Sequence, residues 1–182
     1  MKIVVAATGA SGALYTQRLL DNLTGHEIHY IVTDHAHEVQ KLELPGDLKL
    51  PANAIRYDEN GSMFVPFVSG SAKFDAMVII PASMGTVGRI ATGVSDSTVA
   101  RAADVFLKER RQLILVPREA PYNLIHLRNM AALTEAGATI IPASPSFYSK
   151  PTTITGLVDT IIARVLDHLG IANQLTKRWQ SI

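Results

Sequence analysis

The chain has 182 residues, of which 47% are hydrophobic and 18% charged, and this composition predicts one domain with a buried core. Cysteine is absent, which excludes disulfides, a cysteine nucleophile and a thiolate metal site. The net charge of +1 provides no global field that favours nucleic acid, and no apolar run reaches the ~18 residues of a membrane span.

Apolar strands and amphipathic helices alternate along the chain. The strands are short, rich in β-branched residues and apolar throughout, which is typical of a parallel sheet covered on both faces. We therefore predict a three-layer α/β fold, Rossmann-like or flavodoxin-like, with a mostly parallel sheet flanked by helices. In chain order, we predict strands at 2–7, 28–33, 75–80, 112–116 and 139–141, and helices at 13–23, 36–42, 85–93, 96–109, 123–136 and 152–169.

Residues 44–70 depart from this regular pattern. They are rich in proline, glycine and asparagine and contain only short strand-like pieces, so we expect a lid or an oligomer contact here. The long helix after residue 95 has Ser95 or Asp96 as its expected N-cap.

Polar turns follow the predicted strands. In open parallel sheets, ligands bind outside the carboxyl ends of the strands. The turn at 8–12 (Thr-Gly-Ala-Ser-Gly) lets the backbone approach an anion at a helix start, although a tight turn also needs glycine for structural reasons alone. The turn at 81–86 (Pro-Ala-Ser-Met-Gly-Thr) repeats this arrangement, and two such turns favour a nucleotide-like cofactor over a bare anion or ordinary helix caps.

A basic segment lies between Arg101 and Arg118, with five cations against two anions. Such a run is either a solvated helix face or a pocket for phosphate. Glu119 follows directly, between two prolines that stiffen the backbone, and a carboxylate fixed near cations is a candidate proton donor or acceptor. The alternative interpretation of Arg118 and Glu119 is a surface ion pair.

The remaining polar candidates come singly. Arg164 lies in an apolar helical stretch, so it either extends to solvent or meets an anion. The six histidines lack the spacing of a metal site: His35 and His37 are expected to be a solvated pair, and His126 a core histidine. Trp179, the only tryptophan, belongs to a polar tail and either docks on a surface or covers a ligand.

Taken together, these turns resemble the flavin prenyltransferases of the UbiX type, within the homo-oligomeric flavin-containing decarboxylase superfamily. The resemblance covers nearly the whole chain, and it is most specific between residues 101 and 130. It is carried by residues 8–13 (TGASGA), 81–86 (PASMGT), 101–105 (RAADV), 107–111 (LKERR), 117–121 (PREAP), 125–130 (IHLRNM) and 142–148 (PASPSFY), and by Arg164.

The resemblance implies a single flavin-binding domain over residues 1–182, with a C-terminal tail from about residue 170. It implies transfer of a dimethylallyl group from dimethylallyl phosphate to N5 and C6 of reduced FMN, without a metal. The product, prenylated FMN, would go to a partner decarboxylase. A cytoplasmic homododecamer with no nucleic-acid or membrane partner is expected on the same ground. Whether the donor is a phosphate or a diphosphate stays open.

The resemblance also assigns residues. It assigns FMN binding to Gly9, Ala10, Ser11, Thr33, Ser83, Met84, Gly85, Thr86 and Arg118. It assigns binding of the prenyl donor, in part across a subunit interface, to Arg101, Lys108, Tyr148, Arg164 and Trp179. Glu119 would manage protons near the leaving phosphate, while Ser11 and Glu43 would assist proton transfer at the flavin. An allylic phosphate leaves readily only where cations and a proton meet it, which agrees with the basic segment.

Three other functions compete with this one. A flavin-dependent cysteine decarboxylase would have asparagine where Met84 stands, and its relatives use a cysteine that this chain lacks. An NAD(P) oxidoreductase would need Tyr-x-x-x-Lys, but Thr152 stands four residues after Tyr148. A non-catalytic FMN-binding protein of the same fold is the third. Ala82, where many family members have cysteine, is a modest departure.

Overall fold

The computed structural model describes residues 1–59 and 63–179. In this part of the chain, six strands form one sheet in the order β3-β2-β1-β4-β5-β6, and all neighbours are parallel. This order is that of the Rossmann doubly wound fold, which confirms the predicted fold class. The strands are β1 (Lys2–Ala7), β2 (Glu27–Val32), β3 (Ala54–Asp58), β4 (Ala76–Ala82), β5 (Gln112–Pro117) and β6 (Thr139–Ile140).

Helices cover both faces of the sheet. Side chains alternate along a strand, so Val5 of β1 packs with α1 and α6, whereas Val4 packs with α3, α4 and α5. None of the described helices is long and apolar enough to cross a membrane. The helices are α1 (Ala13–Asp21), α2 (Asp34–Glu43), α3 (Met84–Ala91), α4 (Thr98–Lys108), α5 (Leu124–Glu135) and α6 (Ile154–His168), with a short 3₁₀ helix at Pro66–Val68.

Two details differ from the sequence prediction. The N-cap of α4 is Ser97, not Ser95 or Asp96, because Ser97 Oγ accepts a hydrogen bond from Ala100 N at 3.2 Å. The segment 44–70 contributes β3, a regular strand at the sheet edge. Its residues are mostly exposed or half-buried, so the apolar pattern that marks the other strands is weak here.

The buried face of α1 predicts a stability difference between two leucines. Leu20 is fully buried, whereas Leu42 on α2 is 86% exposed. We expect Leu20→Ala to lower the free energy of unfolding by about 2–5 kcal/mol, since it removes core contacts and leaves a cavity. Leu42→Ala should change it by less than about 0.5 kcal/mol. Urea unfolding of both variants checks this, and equal losses would contradict the assigned core.

Candidate functional site

One buried hydroxyl joins the two glycine-containing turns. Thr8, at the carboxyl end of β1, is 1% exposed. Its Oγ1 donates to Pro81 O at 3.0 Å and accepts from Ser83 N at 2.7 Å. The turns after β1 and β4 are therefore held together where the strand order reverses, the position at which doubly wound sheets bind ligands.

A cavity of about 430 Å³, here called the central cavity, opens beside this junction. Gly9, from the turn after β1, lines it, and a Cβ on Gly9 would fall 2.7 Å from His35 Cβ, so the close approach requires glycine. Hydroxyl and charged side chains make up the rest of the wall: Thr33, His35, Glu59, Ser83, Thr86, Arg89, Asp96 and Ser97.

The donor set of the central cavity fits a phosphate group. Ser83 caps α3, and its Oγ lies 3.0 Å from Thr86 Oγ1, so two hydroxyls meet at a helix N-terminus. The nearby carboxylates are already engaged: Asp96 pairs with Arg89 at 3.4 Å, and Glu59 accepts from the backbone N–H of Val99 at 3.3 Å. An anionic ligand would thus find donors on this wall.

Three predicted flavin residues lie in the same turns but outside the lining. Met84 and Ala10 are buried, and the Met84 side chain packs into the core below α3. Gly85 is exposed at the first turn of α3. Met84 can therefore meet a ligand only through its backbone.

A carboxylate from α2 reaches the first turn of α1. Glu43 Oε2 accepts from Gly12 N and Ala13 N, both at 2.8 Å, and the Ser11 hydroxyl hydrogen-bonds the same side chain. Arg118 Nε donates to Ser11 O at 3.1 Å from the end of β5. The structure thereby unites Ser11, Glu43 and Arg118, which we call the Glu43 cluster.

The surroundings of Glu43 keep it ionised. Partial burial acts to raise the pKa of Glu43, but hydrogen bonds from Ser11, Ala13 and Gly12 and the charge of Arg118 outweigh it and lower the pKa. The carboxylate is also favoured by the N-terminal dipole of α1.

A second cavity of about 440 Å³, the tail cavity, lies between the loop after β6, helix α6 and the C-terminal tail. Its lining unites Tyr148, Arg164 and Trp179, three residues that the sequence assigned to the prenyl donor. The Tyr148 and Trp179 rings meet edge to face at a centroid distance of 5.7 Å. Arg164 Nη1 pairs with Asp167 Oδ2 at 3.0 Å and stays 59% exposed, so it meets both an anion and solvent.

Arg101, Lys108 and Glu119 line neither cavity within one chain. Arg101 pairs with Asp104 at 2.9 Å, and Lys108 pairs with Glu109 at 2.5 Å at the far end of α4. Glu119 is half-buried, and its Oε1 accepts from Ala120 N at 3.1 Å.

Sequence reasoning missed several residues of the two cavities. His35 is exposed, as predicted, but the sequence did not indicate that it lines the central cavity with Glu59 and Arg89. His126, expected in the core, is half-buried and forms a capping box with Asn123 at the start of α5. Among residues 1–59 and 63–179, no group of three or more His, Asp or Glu side chains could hold a metal ion.

Comparison with known proteins identifies the family. The family model "Flavoprotein" matches residues 1–166. The flavin prenyltransferase UbiX of Methanocaldococcus jannaschii is 46% identical over 184 aligned positions, and the match covers 100% of both chains. The chain belongs to the UbiX flavin prenyltransferase family.

Two solved structures of UbiX proteins share the fold at 39% identity. AnUbiX (PadA1), determined with FMN and dimethylallyl pyrophosphate, superposes with a TM-score of 0.91 over 98% of this chain and 96% of its own. A dodecameric FMN-dependent UbiX-like decarboxylase from Escherichia coli O157:H7 superposes with a TM-score of 0.94 over 99% and 100%. Membership of the UbiX family disfavours the cysteine decarboxylase, the NAD(P) oxidoreductase and the non-catalytic flavin carrier.

The lowered pKa of Glu43 predicts how the stability of this UbiX protein depends on pH. A carboxyl whose pKa falls on folding stabilises the protein above its unfolded value, ordinarily 4.5, and this contribution is lost as the pH drops through the folded pKa. We expect wild type to be more stable than Glu43→Gln at neutral pH, with the difference shrinking below pH 4.5. Urea unfolding across this range measures it, and a difference that stays constant with pH would contradict the assignment.

Proposed function

We propose that this chain transfers a dimethylallyl group from dimethylallyl phosphate to reduced FMN, to make prenylated FMN. The observation that carries the proposal is the position of the Glu43 cluster between two dissimilar cavities. Gly9 of the central cavity and Ser11 of the cluster share one turn. Arg118 follows β5, and Ala143 N, just before the tail-cavity loop, donates to Pro117 O at 2.9 Å. The Glu43 cluster thus adjoins the central cavity, and the loop that lines the tail cavity begins beside Arg118.

The central cavity and the Glu43 cluster would hold FMN. The hydroxyls of Thr33, Ser83 and Thr86 would bind the phosphate at the start of α3. Arg118 and the turn at Gly9, Ala10 and Ser11 would meet the remainder of the flavin, together with the backbone of Met84 and Gly85. Reduced FMN, when bound, supplies the nucleophilic N5 and C6 positions that the dimethylallyl group alkylates.

The tail cavity would hold the prenyl donor. Arg164 and the Tyr148 hydroxyl offer donors to its phosphate, and the rings of Tyr148 and Trp179 supply an apolar, electron-rich wall. Such a wall suits an allylic group that gains positive charge as its C–O bond breaks. Side-chain cations stabilise the leaving phosphate, so the proposed transfer needs no metal ion.

Acid–base roles fall to three side chains. Glu119, beside Arg118 and in a proline-bounded turn, would give a proton to the departing phosphate. Ser11 is hydrogen-bonded to an ionised Glu43, so this pair can accept or relay a proton at the flavin. Because its pKa is lowered, Glu43 is ionised at neutral pH and has no proton to donate.

Arg101 and Lys108 would enter the site from a neighbouring copy of the chain. Neither residue lines a cavity of its own chain, while the UbiX-like neighbour from Escherichia coli is dodecameric. We therefore include a homododecamer in the proposal. We also propose that the chain forms a single flavin-binding domain and is located in the cytoplasm. Its product would be delivered to a prenylated-flavin-dependent decarboxylase.

The reaction itself is tested with Glu119→Gln. The purified protein is mixed anaerobically with reduced FMN and dimethylallyl phosphate and is then denatured. The mass of the released flavin is measured by mass spectrometry. Wild type should yield a flavin heavier by one C5 unit. Glu119→Gln should retain FMN but lose rate by about 100-fold or more, since general acid catalysis contributes on that order.

A matched control is Glu135→Gln, which makes the same substitution on exposed α5 and should turn over like wild type. Unmodified flavin from wild type would refute prenyl transfer. Equal rates for Glu119→Gln and wild type would remove Glu119 from the proton-transfer role.

A shared site predicts complementation between two inactive chains. Lys108→Gln and Arg164→Gln should each lose most activity alone. Chains of both kinds co-assembled in equal amounts should recover about a quarter of wild-type activity, because random mixing rebuilds that share of intact sites. Light scattering should give a mass far above 19.7 kDa. An inactive mixed assembly, or an active monomer, would contradict a site built from two copies.

A further inference from the structure

One carboxylate near the end of α6 joins the helix to the C-terminal tail. The Asp167 side chain is 20% exposed. Its Oδ2 accepts from Arg164 Nη1 at 3.0 Å and from Arg178 Nη1 at 2.5 Å. Its Oδ1 accepts from Arg178 Nη2 at 2.7 Å and from Asn173 Nδ2 at 3.0 Å. Neither the resemblance of the sequence nor the two cavities assigns Asp167 a role.

The two arginines on Asp167 are used differently. Arg178 presents both terminal nitrogens to the carboxylate, and Nη2 also donates to Asn173 O at 3.4 Å. This fork-to-fork pairing is the geometry that fixes a guanidinium most firmly. Arg164 shares only Nη1 with Asp167 and stays more than half exposed at the cavity rim. A guanidinium carries five N–H donors, so Arg164 can bind a second anion without leaving Asp167.

The Arg178 pairing also determines where Trp179 lies. Residues 169–179 form neither helix nor strand. Backbone hydrogen bonds and the packing of Ile171 and Leu175 hold the first part of this tail, and the Arg178 side chain holds its end. Trp179 is the next residue after Arg178, and consecutive Cα atoms are only about 3.8 Å apart. Anchoring Arg178 therefore keeps the indole within reach of Tyr148, on which it packs edge to face.

The charges of Asp167, Arg164 and Arg178 together favour the binding of an anion. Hydrogen bonds from Arg178 lower the pKa of Asp167 and outweigh its partial burial, with Asn173 and the charge of Arg164 acting in the same direction. Asp167 is thus ionised, and one negative charge stands against two positive ones. Asp167, Arg164 and Arg178 together therefore carry a net charge of +1 at the rim of the tail cavity, where a prenyl phosphate would arrive.

We propose that Asp167 is a positioning residue for the prenyl donor. Its ion pair with Arg178, which we call the latch, fixes the tail so that Trp179 covers the tail cavity. Its contact with Nη1 of Arg164 orients that guanidinium toward the donor phosphate. This inference rests on the proposed function. Asp167 itself touches neither substrate in this assignment, and it acts only through the two arginines.

The latch is tested by the fluorescence of Trp179, the only tryptophan in the chain. Full-length wild type, Asp167→Asn and Arg178→Gln are compared at equal FMN occupancy by fluorescence anisotropy, because the indole is already 73% exposed and its accessibility would change little. We expect both variants to lower the anisotropy, since the tail is released locally without unfolding. The control is Asp21→Asn, which weakens an Arg–Asp pair of the same i,i+3 spacing on α1 and should match wild type.

The positioning role is tested by kinetics with dimethylallyl phosphate. Asp167→Asn should raise KM for this donor by about tenfold while kcat changes less, because the lost contacts act on binding. Arg178→Gln releases the tail but leaves the Arg164–Asp167 pair, so its KM should rise by less. The double variant should resemble Asp167→Asn alone in anisotropy, since both changes break the same contact.

Unchanged anisotropy in both variants would overturn the latch. A KM for Asp167→Asn within about twofold of wild type would overturn the positioning role. Failure of the proposed function is a separate result: wild type would then form no prenylated flavin, and the anisotropy comparison would still decide whether Asp167 holds the tail.

Discussion

The hydrogen bonds of a single buried hydroxyl, that of Thr8, hold the functional edge of this protein together. Thr8 Oγ1 bridges Pro81 O and Ser83 N, and thus joins the ends of β1 and β4 at the reversal of strand order. Helix starts on opposite faces of the sheet are thereby fixed relative to each other. The central cavity and the Glu43 cluster both depend on this junction, since Gly9 and Ser11 lie in the turn that begins at Thr8. The parallel sheet provides the edge at which the strands end, and the hydrogen bonds of Thr8 fix how the two halves of the sheet meet there.

Carboxylates at this edge and near the end of α6 act as anchors for backbone and arginine donors. Glu43 binds the first N–H groups of α1, Glu59 accepts from the start of α4, and Asp167 holds two arginines. Each acid is paired with a donor group of the protein, so the surrounding cations and hydroxyls stay available to phosphate. The arrangement reconciles a net charge of only +1 with a site intended for two phosphorylated substrates. In the proposed function, the local placement of charge, rather than the overall charge, would attract the two anionic substrates.

Much of the fold was predictable because its signals are local. Apolar runs marked five of the six strands, and turns at Gly9 and Ser83 marked two helix starts. The edge strand β3 was missed as a regular element because its side chains are largely exposed. The N-cap at Ser97 could not be chosen over Ser95 or Asp96, since all three side chains can cap and only backbone geometry distinguishes them. The grouping of Tyr148, Arg164 and Trp179 was expected from family resemblance, and the fold places them on one cavity.

The sequence by itself determined the α/β class, the turns that follow the strands and the residue types that suit phosphate chemistry. Those features follow from the periodicity and composition of neighbouring residues. Only the tertiary structure decided that Glu43 meets the turn at Gly12, that His35 faces the central cavity and that Asp167 joins Arg164 to Arg178. Glu43 lies 31 positions from Gly12, and no local pattern encodes a contact between side chains on separate elements. Such contacts arise when packing of both helix layers brings the loops to one edge of the sheet.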